Sequence, residues 1–146
     1  MSLRHPPVAR ATMLIRKPAA EVFNAFVDPV VTTRFWFSRA SGPLTPGATV
    51  TWYWDAYGVS GEVHVKELDR DRRLVIEWPT PVVWSFEPHR DGTYVSIEAS
   101  GFTGTDDEQV SQALDSTEGF NLVIAACKAL LEHGVELNLV ADKRRG

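Results

Sequence analysis

The stretch from Asp107 to Gly134 is the one window long and periodic enough to be a helix spanning an entire domain. Apolar residues recur at Val110, Leu114, Phe120, Ile124, Cys127 and Leu131, close to the spacing of three and four that marks one helical face. Leu122, Val123, Ala125, Ala126 and Ala129 make the second half apolar on further faces. A helix of about 27 residues runs roughly 40 Å, and its last turns need cover on most sides, which a sheet wrapped around them provides. Asp106, Asp107 and Glu108 put acids at the positive end of the helix dipole, and His133-Gly134 supplies a left-handed stop. Asp115-Ser116-Thr117-Glu118-Gly119 combines capping residues with a glycine, and predicts a break or bend there.

The rest of the chain reads as the sheet that this helix needs. Val8 to Arg16 predicts a first strand, ended by Lys17-Pro18. Pro18 suits the first position of a short helix whose apolar face is Val22, Phe23 and Phe26. Asp28-Pro29 repeats the start signal for a second short helix to about Phe35. Strands separated by turn signals follow. Ala48 to Trp54 sets Val50, Trp52 and Trp54 against Thr49, Thr51 and Tyr53. Val59 to Leu68 sets Val59, Gly61, Val63 and Val65 against Ser60, Glu62, His64 and Lys66. Leu74, Ile76 and Trp78 share a face, as do Val82, Trp84 and Phe86. Asp91-Gly92 is a hairpin signal leading into Thr93 to Phe102, where Val95, Ile97 and Ala99 oppose Tyr94, Ser96 and Glu98.

With the first strand this makes about six, each with one buried face, so the sheet is antiparallel and one-sided. Such a sheet, twisted around one long helix, leaves a space whose end the two short helices close. Residues 1–7 are expected to fray, Val135 to Val140 to add a short extension, and Asp142 to Arg145 to be disordered. That leaves one domain over 1–146 with an ordered core of 6–140.

Composition excludes several classes. A net charge of −4 and few clustered cations argue against nucleic-acid binding. Lys128 interrupts the longest apolar run, so no membrane span is expected, and Met13-Leu14-Ile15 is too short for a signal-peptide core. One cysteine permits no internal disulfide and fits a reducing compartment, so the cytoplasm is the expected location. His5, His64, His89 and His133 are scattered, so no metal is expected, and no glycine-rich phosphate loop points to a cofactor.

The order strand, two short helices, antiparallel meander and long C-terminal helix resembles the START-like or SRPBCC superfamily, the helix-grip α+β fold of the birch-pollen allergen. Within it the chain is most similar to the heat-shock ATPase activator (Aha-type) branch. The residues that carry this are Ile15-x-x-Pro18-x-x-x-Val22-Phe23, Asp28-Pro29, Phe35-Trp36-Phe37 and Pro46-Gly47. They also include Gly61-Glu62-Val63, Arg73-Leu74-Val75, Trp78, Asp91-Gly92-Thr93, Gly101-Phe102 and Glu118-Gly119-Phe120 through Leu131-Glu132. The resemblance covers nearly the whole chain. It implies a hydrophobic cavity between helix and sheet, which in members holds lipids, sterols, polyketides or aromatic compounds. Some members are cyclases or hydrolases and one branch stimulates a chaperone ATPase, so it does not select a chemistry. Activators usually carry a further N-terminal domain, for which this sequence offers no candidate.

Five tryptophans are the unusual number. Trp36, Trp52, Trp54, Trp78, Trp84, Phe86, Phe102 and Phe120 are the candidate lining of a cavity for a small hydrophobic or aromatic ligand, gated by the short helices and the loop Ser38 to Thr45. The same rings could simply fill the core. Glu62 and His64, two apart on one strand face, could form a carboxylate-oriented general base. With Lys66 continuing the row, a solvated outer face is the simpler reading. Glu77, Glu98 and Tyr94 point outward by parity, and Arg34 could reach a ligand carboxylate or lie on the surface. Cys127 falls on the apolar stripe as a small buried hydrophobe. Binding of a small hydrophobic or aromatic ligand is the first reading, ahead of an enzyme acting on a hydrophobic substrate and then of a partner-binding module, and unpaired sheet edges leave room for a homodimer.

Overall fold

In the computed structural model, which describes residues 5–143, the chain forms one antiparallel sheet around a long helix. The strands are β1 (Ala9–Ile15), β2 (Arg39–Ala40), β3 (Thr49–Trp54), β4 (Val59–Asp69), β5 (Arg73–Trp78), β6 (Thr80–His89) and β7 (Gly92–Ala99). Their order, β1-β7-β6-β5-β4-β3-β2, is a meander to whose last strand β1 has been added. Helices α1 (Ala19–Val27) and α2 (Pro29–Thr32) carry the chain from the β1 edge to the β2 edge. Helix α3 (Asp106–His133) then lies against the inner face, and α4 (Leu139–Asp142) ends the described chain.

The helix-grip α+β architecture is the expected one, with seven strands rather than six. The extra strand, β2, lies in the segment read as a gating loop. Two residues, paired to Tyr53 and Trp52, are too short to show any alternation. Elsewhere parity holds except in β4, where a bulge between Val65 and Glu67 reverses the alternation and brings Leu68 opposite the buried Leu74. The cross-strand partners Val50↔Val63, Leu74↔Trp84, Ile76↔Val82, Trp84↔Ile97 and Phe86↔Val95 are all buried, so one face of the sheet is continuously apolar.

Helix α1 closes one end of this face, with Phe23 edge-on to Phe86 at 5.2 Å and Phe26 beside both Phe86 and Trp84. Pro18 does not enter α1. It is the cap residue, in extended conformation, because the chain leaves β1 through a tight turn in which the Lys17 N–H donates to the Ile15 carbonyl. Asp28 caps α2 as its sequence predicts, accepting the Val30 N–H at 3.0 Å with Pro29 at the first position. The helix itself is a single turn ending at Thr32 rather than Phe35. The buried Thr32 hydroxyl ties it back by donating to the Ala25 and Asp28 carbonyls.

Helix α3 begins one residue earlier than its periodicity suggests because Thr105 and Glu108 form a reciprocal capping box. It ends at Gly134, whose φ of 67° is the left-handed stop. The expected break at Asp115–Gly119 does not occur: α3 is unbroken over 28 residues. Thr117 spends its hydroxyl on the Ala113 carbonyl at 2.7 Å, inside the helix, and so does not cap a new one. A glycine in a helix interior costs about 1 kcal/mol, less than stripping a new pair of helix ends of their partners. The buried face also differs from the expected one, running through Ala113, Phe120, Val123, Ile124, Ala126, Cys127 and Leu130 while Leu114 is 66% exposed. The tail is more ordered than expected where it is described: Asp142 completes α4, and Arg144 and Arg145 lie outside the described residues.

Apolar packing does not by itself set how α3 lies along the sheet. Three side chains do so by bonding to the outer edge of β1. Asn121 donates to the Arg10 carbonyl, Lys128 donates to the Leu14 carbonyl at 2.7 Å, and the Arg16 N–H donates to Glu132 at 2.7 Å. Lys128 and Glu132 are themselves paired at 2.6 Å, with the Glu132 side chain only 9% exposed. Burial pushes the Glu132 carboxyl up, but the bonds from Lys128 and the Arg16 N–H and the nearby charges outweigh it, so its pKa lies below the ordinary 4.5. Because the folded value is the lower one, this stabilisation is complete above the ordinary value and lost as pH falls through the folded one. Glu132→Ala should destabilise the protein by about 1–3 kcal/mol in urea unfolding at neutral pH. The loss should shrink as the pH is lowered through the carboxylate range; a penalty independent of pH would contradict the assignment.

Candidate functional site

On the β1 and β7 side the sheet and α3 are in direct contact. Beneath β3, β4 and β5 the distance between them is bridged by aromatic rings instead. Those rings form two layers. Trp52, 1% exposed, stacks on Phe37 at 4.6 Å and meets Trp36 at 4.8 Å, forming the floor. Above it, Trp54 and Trp78 stack face to face at 5.4 Å with 11° between their planes, and Trp36 and Phe120 stand roughly perpendicular to Trp78. Four flat walls meeting at such angles cannot interlock as aliphatic side chains do, and they leave a cleft of about 370 Å³.

Of the eight expected lining residues, the fold brings four to this cleft: Trp36, Trp54, Trp78 and Phe120. The other four do not border it. Trp52, Trp84 and Phe86 are buried in the core, and Phe102 is a half-buried ring packed against that core. Trp84 packs 6.2 Å from Phe120, and its indole nitrogen has no hydrogen-bond partner among the described residues.

Residues that sequence reasoning did not assign complete the cleft. Asp115, Ser116, Gly119, Leu122 and Val123 project from one stripe of α3, Tyr57 comes from the turn between β3 and β4, Val59 from the start of β4, and Val140 and Lys143 come from the C-terminal segment. The α3 stripe was legible as a helical face in the very run read as a break. The Val140 and Lys143 contribution carries no local signal, since it depends on where the tail returns.

That return is specific: the Tyr57 hydroxyl donates to the Val140 carbonyl, Lys143 pairs with Glu118 at 3.2 Å, and Arg34 pairs with Glu136 at 3.4 Å. The C-terminal segment, rather than the loop Ser38 to Thr45, therefore borders the cleft. Val140 and Trp36 also line a smaller space of about 150 Å³, reached by Arg34.

The other polar candidates lie elsewhere. Glu62, His64 and Glu77 are on the outer face of the sheet, where His64 bonds Thr49 at 2.9 Å and Glu77 pairs with Lys66 at 3.2 Å. Glu98 pairs with Arg10, and Tyr94 is exposed against His89. Cys127 is fully buried in the core and burial pushes its thiol far up, away from nucleophilic use. Among the described residues no group of three His, Cys, Asp or Glu side chains could hold a metal ion, and no helix is long and apolar enough to cross a membrane.

A one-sided antiparallel sheet gripping a long C-terminal helix, with an aromatic cleft between them, defines a START-like helix-grip protein. The family described as "Activator of Hsp90 ATPase homolog 1-like protein" matches residues 16–132, and the chain belongs to it. The protein SSP2350 from Staphylococcus saprophyticus is similar in structure at a TM-score of 0.81 and 29% identity, over 89% of this chain and 95% of that one. DynU16, a putative protein in the dynemicin biosynthetic locus, is similar at a TM-score of 0.77 and 19% identity, over 89% of this chain and 49% of that one. The Aha1 dimer from Colwellia psychrerythraea is similar at a TM-score of 0.75 and 17% identity, over 87% and 97%. No curated protein matches the chain.

The Trp78 wall depends on a missing side chain. Trp78 lies over Gly61, where an added Cβ would stand 2.7 Å from the indole nitrogen. Gly61→Val should push the ring off the sheet, red-shift tryptophan emission and cost about 1–3 kcal/mol. Unchanged emission and stability would show that the ring is not pinned there.

Proposed function

We propose that this protein binds a small, flat hydrophobic or aromatic molecule in the cleft between α3 and the β3–β5 half of the sheet. The observation that supports it is a cleft of about 370 Å³ walled by Trp36, Trp54, Trp78 and Phe120. Pockets of roughly 300–1,000 Å³ with aromatic walls and few polar groups are the usual form of a small-molecule site. The whole described chain acts as one domain in this reading. The buried, unpaired Cys127 fits a protein working in a reducing cytoplasm. An enzymatic role in the same cleft has weaker support, since the carboxylate and imidazole candidates Glu62, His64 and Glu77 are on the opposite face of the sheet.

If the cleft is the site, naphthalene-sized aromatic probes should quench tryptophan emission and raise the melting temperature in proportion to ligand concentration. Trp54→Ala and Trp78→Ala should each weaken binding at least about tenfold, while His64→Ala should leave it unchanged. Probes that neither quench nor stabilise would rule this function out.

A second reading, a protein-interaction module, is favoured by the exposed apolar pair Val110 and Leu114 one turn apart on α3 and by the family's description. A homodimer, the assembly of the Colwellia protein, would draw on that same pair. The β1 edge is taken up by α3, and the β2 edge offers only two residues. Sedimentation should then show self-association that Leu114→Glu abolishes; a monomer at every concentration excludes the dimer.

A further inference from the structure

We infer that the cleft is selective for a cationic ligand, an aromatic or cyclic body bearing a protonated nitrogen seated toward Asp115. This rests on the ligand-binding reading above and adds the class of molecule. Three observations lead to it.

The first is the charge on the cleft wall. Besides the ordinary hydroxyls of Ser116 and Tyr57, its polar side chains are Asp115 and Lys143. The Lys143 ammonium is already engaged, 3.2 Å from a Glu118 carboxylate oxygen. Asp115 makes no ion pair or side-chain hydrogen bond among the described residues. Among the described residues, two carboxylates therefore stand against one ammonium at this mouth, and the one without a partner borders the cleft.

The second is the nature of the remaining wall. Beside the aliphatic Val59, Leu122, Val123 and Val140, the rings of Trp36, Trp54, Trp78, Phe120 and Tyr57 line it. A ring face carries the negative side of its quadrupole, so such a wall attracts a cation that an aliphatic one of equal size would reject. Trp36 and Phe120 stand at 73° and 71° to Trp78, so the rings meet at steep angles instead of forming one flat shelf.

The third is the position of the acid. Asp115 and Phe120 lie on the same helix with Ser116 and Gly119 between them. The bare backbone at Gly119, whose Cβ position meets nothing within 4 Å, keeps the path from the carboxylate to the rings open. A ligand longer than a single ring can thus span from the rings to Asp115. An anion would meet an unpaired carboxylate and the electron-rich faces together, and a neutral molecule would gain only the apolar contact.

Three probes sharing one body test this: 1-naphthylmethylamine, protonated at neutral pH; 1-naphthalenemethanol; and 1-naphthoate. In titration calorimetry at low ionic strength the amine should bind about tenfold more tightly than the alcohol, with the carboxylate weakest. Asp115→Asn should bring the amine-to-alcohol ratio down toward one, and added salt should lower the same ratio in the unsubstituted protein. An alcohol that binds as well as the amine, or a ratio untouched by Asp115→Asn, overturns the cation preference and leaves the ligand site standing. Failure of all three probes overturns both. Asp115 is exposed on a helix held by the core residues on its other face, and a circular-dichroism melt of the variant confirms that its fold is retained.

Discussion

Everything in this molecule depends on how α3 is held against β1. The apolar stripe of the helix would be satisfied by many positions over the inner face, because hydrophobic burial is proportional to area and indifferent to direction. The bonds from Asn121 and Lys128 to the Arg10 and Leu14 carbonyls, and from the Arg16 N–H to Glu132, are directional. They fix both the distance and the axial position of the helix. They also satisfy backbone groups that an edge strand otherwise offers to another chain. At the opposite edge β2 is only two residues long, so there too the sheet gives little template for pairing.

Fixing the helix at β1 has a geometric consequence at the far side. A twisted sheet in contact with a straight helix along one edge must part from it toward the other. Leucines and valines bridge such a gap poorly, since their reach is short. The chain uses rings: Phe37, Trp52 and Trp36 form a buried layer, and Trp54 and Trp78 stack beyond it. Rigid planes meeting at steep angles fill space less completely than branched side chains. The cleft is therefore a product of the same constraint that fixes the helix, and does not need a separate device to keep it open.

Much of this was legible from alternation and periodicity. The buried faces of β3, β5, β6 and β7, and of β4 as far as Val65, were predicted by parity, because side chains on a strand alternate with period two and only one face of this sheet is covered; the bulge after Val65 is what turns the end of β4 over. What parity cannot report is depth along the strand. Trp52 and Trp54 point to the same side, yet Trp52 is sealed under Phe37 while Trp54 borders the cleft. The difference lies in what the segment Phe35-Trp36-Phe37 places against each, a contact between distant parts of the chain. The start of α3 was written locally, in Thr105-x-x-Glu108, and the Asp115–Gly119 run misled for a related reason. Residues that cap helices in one context bond inside them in another, and the choice is made by the packing on either side, here Ala113 and Phe120. The tail illustrates the limit of local signals, since Val140 and Lys143 reach the cleft only because Gly134 turns the chain back toward it.

The placement of charge follows from the same layering. A one-sided sheet sends half of its strand residues to solvent, and Glu62, His64, Lys66 and Glu77 lie on that outer half. Their pairing suits a solvated surface and leaves nothing to act on a molecule held between sheet and helix. General acid–base chemistry requires a titratable group within hydrogen-bond reach of the reacting atoms. Among the described residues the titratable side chains along the cleft wall are Asp115, Lys143 and Tyr57. Lys143 is paired with Glu118 and the Tyr57 hydroxyl donates to the Val140 carbonyl. Among the described residues, Asp115 is the titratable side chain of the cleft wall that makes no such bond.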